Sequence, residues 1–257
     1  MSNTVKGNHR RIVVKVGTSL LTGGTDELDL DMVGNVVSQI ATLSISGMQI
    51  ILVSSGAVAA GRGVLRGFSG QRGTGDLPGR QVLAAVGQGR LIHVYEEEFA
   101  SHGLVSAQAL LSRRDVNDRL GYLNLRNTLS ALMDNGVIPV VNENDTIATS
   151  EIKYGDNDRL ASRVAQITNA DTLILLSDVD GLYTKNPKIF KDAKLIKKID
   201  DLKKDLKKIY IKGINEYGSG GMHTKIEAAK ICQLAGTSMV IANGLYSNPI
   251  SKIIEKN

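Results

Sequence analysis

Two lysines lie in glycine-containing segments of this chain, at positions suited to binding phosphate. Lys15 begins the segment KVGTS (15–19), and Lys225 closes the segment GSGGMHTK (218–225). A lysine can place its ammonium on a phosphate as a point charge, and backbone N–H groups at the start of a helix attract the same anion. Neither segment matches the pattern G-x-x-x-x-G-K-[ST], since Thr224 precedes Lys225. Each segment alone is also compatible with an ordinary turn.

Carboxylates and amides form a second set of candidates. The segments NEND (142–145) and GDND (155–158) combine acids with amides, and Asp178 follows an apolar run. Such groups can accept hydrogen bonds from an ammonium or donate them to a carboxylate. We expect Asp178 to hold two lysines in position or to order water around a metal ion, whereas Asp158 could cap the following helix. The Asp-Gly pair at 180–181 favours a hairpin turn.

Several other chemistries lack the residue patterns that they need. The four histidines are scattered, and neither H-E-x-x-H nor a Cys/His metal spacing occurs. The two acid–amide segments lack the closing glutamate of an EF-hand loop. Residues 54–56, Ser-Ser-Gly, lack the first glycine of a G-x-S-x-G elbow, so a hydrolase triad has little support.

Apolar runs alternate with helical patterns along the chain. Strands are predicted at 11–17, 49–54, 137–142, 172–177 and 238–243, and helices at 31–47, 77–103, 123–136, 159–170 and 224–236. This alternation predicts an open three-layer α/β/α sandwich with a mainly parallel central sheet. Ligands bind at the carboxyl ends of the strands in such sheets. The segments KVGTS, VSSGA, VNEND and LSDVDG follow four of the strands, so we expect them to meet at one site.

Composition favours a core of small and branched aliphatic residues. Hydrophobic residues make up 42% of the 257 residues, while aromatics make up 4% and Trp is absent, which suits a parallel sheet covered by helices. No apolar run of about eighteen residues and no signal-peptide pattern occurs. The single cysteine, Cys232, excludes an internal disulfide. We therefore expect a cytoplasmic protein without a membrane segment.

The positive charge is concentrated in one segment. Residues 185–212 hold eleven lysines and four aspartates, although the net charge of the whole chain is only +5. A basic segment can bind nucleic acid, but this one has no arginine and only two aromatic residues. Its spacing favours a peripheral hairpin followed by an exposed amphipathic helix, so we expect no specific nucleic-acid binding.

Taken together, the sequence resembles the amino acid kinase family, and within it the bacterial glutamate 5-kinases. The resemblance rests on five stretches in family order, which are VVKVGTSLLT, LVSSGAVAAGRG, VNENDTIATSEIKYGDNDRLAS, LLSDVDGLYT and GSGGMHTKIEAA. It implies ATP-dependent phosphorylation of the γ-carboxylate of L-glutamate, the first step of proline biosynthesis. It also implies one kinase domain over 1–257, with a glutamate-binding lobe (about 1–168) and an ATP-binding lobe (about 169–257).

The resemblance also assigns roles to individual residues. The expected catalytic residues are Lys15, Lys225 and Asp178. The expected glutamate-binding residues are Ser55, Gly56, Asp145, Asn157 and Asp158. The expected ATP-binding residues are Lys15, Gly17, Ser177, Asp178, Ser219, Gly220, Gly221, Met222, His223, Thr224 and Lys225. We expect Mg²⁺ to be held mainly by the ATP phosphates, with no direct protein ligand.

Partners and alternatives follow from the same resemblance. It implies a homo-oligomer (a dimer or tetramer), feedback inhibition by proline and transient contact with a downstream glutamyl phosphate reductase. Many members carry a C-terminal PUA domain, and we expect this chain to be a short form without one. Three alternatives remain open: a family member with another carboxylate or phosphate substrate, a non-catalytic nucleotide-binding regulator, and an RNA-binding protein that uses the lysines of 185–212.

Overall fold

Strands and helices alternate through the described part of the chain. The computed structural model describes residues 10–66, 77–112, 115, 116, 118–147, 156–185, 187, 189–200, 202, 204 and 222–255. The strands are β1 (Arg11–Val16), β2 (Gln49–Ser54), β3 (Val105–Leu111), β4 (Val137–Glu143), β5 (Thr172–Ser177), β6 (Leu182–Tyr183), β7 (Leu195–Ile196) and β8 (Ser238–Asn243). The helices are α1 (Thr18–Leu21), α2 (Leu30–Ile45), α3 (Ala57–Leu65), α4 (Leu77–Ser101), α5 (Arg119–Asp134), α6 (Asp156–Ile167), α7 (Met222–Ala235) and α8 (Pro249–Glu255), with a 3₁₀ turn at Asp145–Ile147.

Six of the described strands form one parallel sheet in the order β3-β4-β2-β1-β5-β8. β1 lies near the centre, where it pairs with β2 on one side and β5 on the other. The carboxyl ends of β1, β2, β4 and β5 therefore lie side by side. The prediction that four polar segments meet at the ends of the strands is confirmed, because 15–19, 53–57, 141–145 and 176–181 all lie at this edge.

Both faces of the sheet are covered by helices, which confirms the predicted α/β/α sandwich. Successive side chains of a strand point to opposite faces. In β1, Ile12, Val14 and Val16 belong to a core with α2, α4 and α8, whereas Val13 belongs to a core with α5, α6 and α7. Lys15 shares the parity of Val13, so its side chain extends toward the layer of α5, α6 and α7. The strand pattern thus decides which helices can supply partners for this lysine.

Several described elements are absent from the sequence-based predictions, among them β3, α3 and α8. β3 is an edge strand with the sequence VSAQALL, which is half exposed and too rich in small residues to give a clear apolar pattern. α3 is short, with the sequence AVAAGRGVL, and α8 has only seven residues. The Asp-Gly pair at 180–181 precedes β6, which pairs antiparallel with β7, while most of the predicted helix in 185–212 lies outside the described residues.

Helices α3 and α4 approach each other so closely that glycines are required at the contact. A Cβ atom added to Gly87 would lie 1.8 Å from the carbonyl oxygen of Ala57 and 2.2 Å from the backbone nitrogen of Gly61. A Cβ added to Gly61 would lie 1.9 Å from the carbonyl oxygen of Leu83. These neighbours are backbone atoms that cannot rotate away. The contact fixes the position of α3, whose first residues follow the carboxyl end of β2.

We expect Gly87→Ala to destabilise the protein by about 3 kcal/mol or more, because it overpacks a contact between two backbones. Gly89→Ala on the same helix is the matched control, since nothing lies within 4 Å of its added Cβ. That control should stabilise the protein by roughly 0.5–1 kcal/mol through helix propensity. Urea unfolding measures both differences. Equal midpoints for Gly87→Ala and the unmodified protein would contradict the packing argument.

No helix in the described ranges is long and apolar enough to cross a lipid bilayer.

Candidate active site

A cavity of about 370 Å³ opens at the carboxyl edge of the sheet. It brings together ten of the residues proposed from sequence, which are Lys15, Gly17, Ser55, Gly56, Asp145, Asn157, Asp158, Ser177, Asp178 and Lys225. These residues come from segments that are far apart in the chain but follow adjacent strands or begin the helices α6 and α7. The cavity is the natural place for a ligand in this architecture.

Two lysines converge on one buried carboxylate in this cavity. Lys15 Nζ lies 2.7 Å from Asp158 Oδ1, and Lys225 Nζ lies 3.2 Å from Asp158 Oδ2. The hydroxyl of Thr224 also donates to Asp158 Oδ2, at 2.8 Å. The Asp158 side chain is 1% exposed, against 8% for Lys15 and 11% for Lys225. One carboxylate therefore fixes the two ammonium groups, one on each oxygen.

This arrangement gives the contact with both lysines to Asp158, which the resemblance had placed among the glutamate-binding residues. The carboxylate between the two lysines is Asp158, which lies in the first turn of α6 and faces β1 and α7. Asp178 follows β5 on the wall of the same cavity, with the Ser177 hydroxyl 3.4 Å from its Oδ1. Asp158 is also not the residue preceding the helix, as a cap would be, because α6 begins at Asp156.

Burial and the mutual charges of this group both shift its pKa values. Burial alone would raise the pKa of the Asp158 carboxyl, but the attraction of Lys15 and Lys225 and the hydrogen bonds from Lys15 and Thr224 hold it below its usual value. Burial lowers the pKa of the Lys15 ammonium, Asp158 opposes this shift, and Lys225 adds to it by repulsion. One carboxylate cannot neutralise two ammonium groups, so the group of Lys15, Lys225 and Asp158 keeps a net positive charge suited to an anion.

A chain of amide hydrogen bonds forms the other side of the cavity. Asn157 Nδ2 lies within hydrogen-bonding distance of Ser54 O at 3.0 Å, Ser55 Oγ at 2.8 Å and Asn142 Oδ1 at 3.0 Å. A backbone carbonyl can only accept, so the atom facing Ser54 is the nitrogen. Asn157 Oδ1 is buried and has no hydrogen-bond partner among the described residues. Asn157 therefore keeps an unused acceptor at the cavity, whereas its donor atom is already engaged by the protein.

Backbone geometry at the end of β2 adds donors to the cavity. Gly56 has φ of 105°, in the left-handed region where glycine is favoured, and it directly precedes α3. The first residues of this helix, Ala57, Val58 and Ala59, line the cavity. The first N–H groups of a helix have no intrahelical acceptor and attract anions. This end of the cavity can therefore bind a carboxylate through the main chain.

The GSGGMHTK segment is described only in part. Ser219, Gly220 and Gly221 lie outside the described residues. Met222, His223 and Thr224 begin α7 and are not among the residues that line the cavity, although Thr224 binds Asp158. His223 is 58% exposed, and its Nε2 lies 3.1 Å from Glu227. Of the described part of this segment, Lys225 is the residue that reaches the cavity.

Several residues of the site were not singled out from sequence. Arg62 and Arg80 line the cavity from α3 and α4, and Arg62 Nη1 lies 3.0 Å from Asp26 on the surface. Gln88 and Tyr95, both on α4, contact residues at the strand ends. The residues of α4 follow a mixed helical pattern, and nothing in that pattern indicates a partner on β2 or β4.

Fold and site together define an α/β protein whose cavity, at the carboxyl edge of a parallel sheet, holds a pair of lysines suited to phosphate groups. The sequence model of the amino acid kinase family matches residues 10–243. The chain belongs to this family.

The individual relatives with high sequence identity to this chain are named glutamate 5-kinases. The chain is 51% identical over 243 residues to a glutamate 5-kinase of Caldanaerobacter subterraneus subsp. tengcongensis, covering 95% of this chain and 64% of the relative. It is 50% identical over 246 residues to a glutamate 5-kinase of Pelagibacter ubique, covering 96% and 66%. It thus spans about two-thirds of the length of these two relatives. For a glutamate 5-kinase of Clostridium acetobutylicum, the identity is 45% over 247 residues, covering 96% of this chain and 91% of the relative.

Solved structures support the fold. The UMP kinase of Ureaplasma parvum superposes with a TM-score of 0.66 at 16% identity, covering 98% of this chain and 97% of that one. A carbamate kinase of Giardia lamblia, solved bound to AMP-PNP, gives a TM-score of 0.67 at 18% identity, covering 97% and 96%.

Proposed function

We propose that this protein transfers the γ-phosphoryl group of ATP to the γ-carboxylate of L-glutamate, forming L-glutamyl 5-phosphate for proline biosynthesis. The observation that carries the proposal is the shared cavity. Lys15 and Lys225, fixed on Asp158, lie in the same cavity as Asp145 and Asn157, which can hold an amino acid. The relatives named glutamate 5-kinase, at 45–51% identity, give independent support.

The nucleophile needs no general base in this reaction. A glutamate side chain has a pKa of about 4.3, so the attacking carboxylate is already ionised at neutral pH. The activation barrier instead comes from bringing the glutamate carboxylate into line with the γ-phosphate of ATP, since both are anions. The protein must lower this barrier by positioning the two substrates and by supplying positive charge. The net positive charge of Lys15, Lys225 and Asp158 suits that task, because it is fixed in place before the substrates bind.

The amino acid would be held at its two charged backbone groups. Its α-ammonium suits the Asp145 carboxylate and the unpartnered Oδ1 of Asn157. Its α-carboxylate suits the N–H groups that follow Gly56 at the start of α3. The acid–amide segments could have supplied an amide donor to this carboxylate, but the donor of Asn157 is directed at Ser54, Ser55 and Asn142.

ATP would lie over the lysines, toward Ser177 and Asp178 and the C-terminal lobe of about 169–257. The glutamate lobe would then comprise about 1–168. Mg²⁺ would be held mainly by the ATP phosphates, because this ion keeps several waters, and the exposed Asp178 carboxylate would order those waters rather than bind the ion directly. When bound, the ion would neutralise phosphate charge. The AMP-PNP carried by the Giardia carbamate kinase supports a nucleotide as the other substrate.

The proposal extends to partners, with the family resemblance as its support. We expect a dimer or tetramer, inhibition by proline through the glutamate pocket, and hand-over of the unstable acyl phosphate to a glutamyl phosphate reductase. Size measurement in solution tests the first expectation, and proline competition against glutamate tests the second.

An ATP hydrolysis assay with hydroxylamine tests the reaction itself. Hydroxylamine traps an acyl phosphate as a hydroxamate, so ADP and hydroxamate should both appear only when L-glutamate is added. Aspartate, N-acetylglutamate and nucleoside monophosphates form the control panel. If one of these compounds gave product and glutamate did not, that compound would be the substrate. If neither glutamate nor any compound of the panel led to ADP formation, the protein would be a nucleotide-binding protein without this activity.

We expect Asp145→Ala to raise the glutamate KM by about 30-fold or more while the ATP KM changes little. Removing one partner of a buried charge pair typically costs about 2–5 kcal/mol, and about 1.4 kcal/mol corresponds to a factor of ten. Asp145→Asn is the matched variant, because it keeps the shape and removes the charge. Initial rates at varied glutamate and varied ATP separate the two constants. An equal loss of both affinities would refute the assignment of Asp145 to the amino acid.

A further inference from the structure

Helix α4 sends two polar side chains to the ends of two strands beneath the cavity. Gln88 Oε1 accepts a hydrogen bond from Asn142 Nδ2 at 2.8 Å, and the Tyr95 hydroxyl lies 2.9 Å from Ser54 Oγ. Gln88 and Tyr95 are seven positions apart, so they lie on one face of the helix. Asn142 and Ser54 share the strand parity of Val140 and Leu52, which belong to the core that contains α4.

The direction of each hydrogen bond is fixed by a neighbouring backbone group that can only donate or only accept. The backbone N–H of Glu143 donates to Asn142 Oδ1 at 2.8 Å, so this atom is the oxygen, and Asn142 Nδ2 must face Gln88. The Ser54 hydroxyl donates to Ser55 O at 2.8 Å, so its one hydrogen is engaged and Tyr95 must be the donor to it. Tyr95 is fully buried, and burial raises its pKa to about 12, which keeps it a donor at neutral pH.

The hydrogen bonds from Gln88 to Asn142 and from Asn142 to Asn157 form a relay that leads to the ligand side of the cavity. Asn142 Oδ1 also accepts from Asn157 Nδ2, at 3.0 Å. Gln88 and the backbone N–H of Glu143 together hold the Asn142 amide, one at its nitrogen and the other at its oxygen, and that oxygen helps to hold the nitrogen of Asn157. The orientation of the Asn157 amide in turn decides that its oxygen, rather than its nitrogen, is left for a ligand.

We propose that Gln88 is a positioning residue for amino acid specificity, acting through Asn142 to present the Asn157 oxygen to the substrate's ammonium group. This inference rests on the proposed function for the identity of the substrate. Gln88 also lines a smaller cavity of about 220 Å³ that shares Ala57, Glu143 and Asp145 with the main one, so it lies behind the amino acid pocket.

The test is Gln88→Met, which keeps the length of the side chain but removes the acceptor. We expect the glutamate KM to rise about ten-fold, with kcat and the ATP KM changed less than about two-fold, as expected for loss of uniform binding. Gln88→Glu restores an acceptor for Asn142 and should recover most of the affinity. Gln81→Met is the matched control, because Gln81 lies on the same face of α4, seven positions earlier, and lines neither cavity; its KM should not change.

Two further measurements separate this inference from the proposed function. Asn157→Ala alone and Asn157→Ala with Gln88→Met should give the same glutamate KM, because the relay ends at Asn157. Without any substrate, the same pair of substitutions should be non-additive in urea unfolding. Additive effects, or equal changes in the glutamate and ATP constants with a lower Tm, would overturn the inference. Absence of glutamyl hydroxamate from the unmodified protein would instead refute the proposed function and leave the unfolding test valid.

Discussion

Asp158→Asn is expected to lower kcat by roughly 10²–10³-fold, the range found when a fixed electrostatic group is removed from an active site. The carboxylate offers one oxygen to Lys15 at 2.7 Å and the other to Lys225 at 3.2 Å. An asparagine keeps one acceptor and turns an N–H group toward the other ammonium. The two lysines would then repel each other without a neutralising charge, and the buried Lys15 would lose its proton more readily.

Asp178→Asn is the control for this prediction. Asp178 lines the same cavity, and sequence reasoning gave it the role of holding the lysines. We expect a smaller loss of kcat for Asp178→Asn, measured by hydroxamate formation at saturating ATP and glutamate. If Asp178→Asn abolished turnover while Asp158→Asn kept its full rate, the contact between Asp158 and the lysines would not contribute to catalysis.

The same variant should change the pH dependence of stability. The folded pKa of Asp158 lies below its usual value, so its contribution to the free energy of unfolding is complete above the unfolded pKa of about 3.9 and is lost as the pH falls toward the folded pKa. The stability difference between the unmodified protein and Asp158→Asn should therefore be constant between about pH 5 and 7 and shrink below about pH 4. Urea unfolding at pH 7, 5 and 3.5 measures it.

The sheet and most of its helices could be predicted from sequence because their apolar patterns are strong. The runs VVKV, IILV and LILL are buried on both faces, as central parallel strands require. The apolar pattern failed at β3, an edge strand in which small and polar residues separate Val105 from Leu110 and Leu111. It also missed α8, whose seven residues are too few to show a helical period.

The site was predictable to the extent that strand ends determine it. Lys15, Ser55, Asp145 and Asp178 follow four strands, and a parallel sheet must bring them to one edge. The choice between Asp158 and Asp178 was not predictable in the same way. Both acids lie near strand ends or helix starts, and only the packing of α6 against β1 and α7 places Asp158 between the lysines.

Hydrogen-bond relays are harder still to find in a sequence. Gln88 and Tyr95 lie on a helix that is otherwise packed through Leu83, Leu91 and Phe99. A helical period indicates that the two side chains share a face, but it does not show which strand that face covers. The parity of Ser54 and Asn142 becomes informative only after the order of β4, β2 and β1 is known.

Lys225→Met should lower kcat by roughly 10²–10³-fold and leave the protein folded. The side chain is 11% exposed and enters the cavity from α7, where an unbranched methionine can replace its aliphatic stem. Asp158 would keep its 2.7 Å contact with Lys15, so its charge would not be left without a partner. Tm should therefore change little, which distinguishes a lost charge from a lost fold.

Lys230→Met is the control for this substitution, because Lys230 is exposed on the same helix five positions later and does not line the active cavity. Lys225→Arg keeps the charge but not the compact geometry of an ammonium, so we expect only partial recovery of rate. An ATP KM that stays nearly constant while kcat falls would mean that Lys225 stabilises the transferring phosphoryl group rather than the bound nucleotide. An unchanged kcat would remove Lys225 from the mechanism and leave Lys15 as the only lysine of this cavity available for phosphoryl transfer among the described residues.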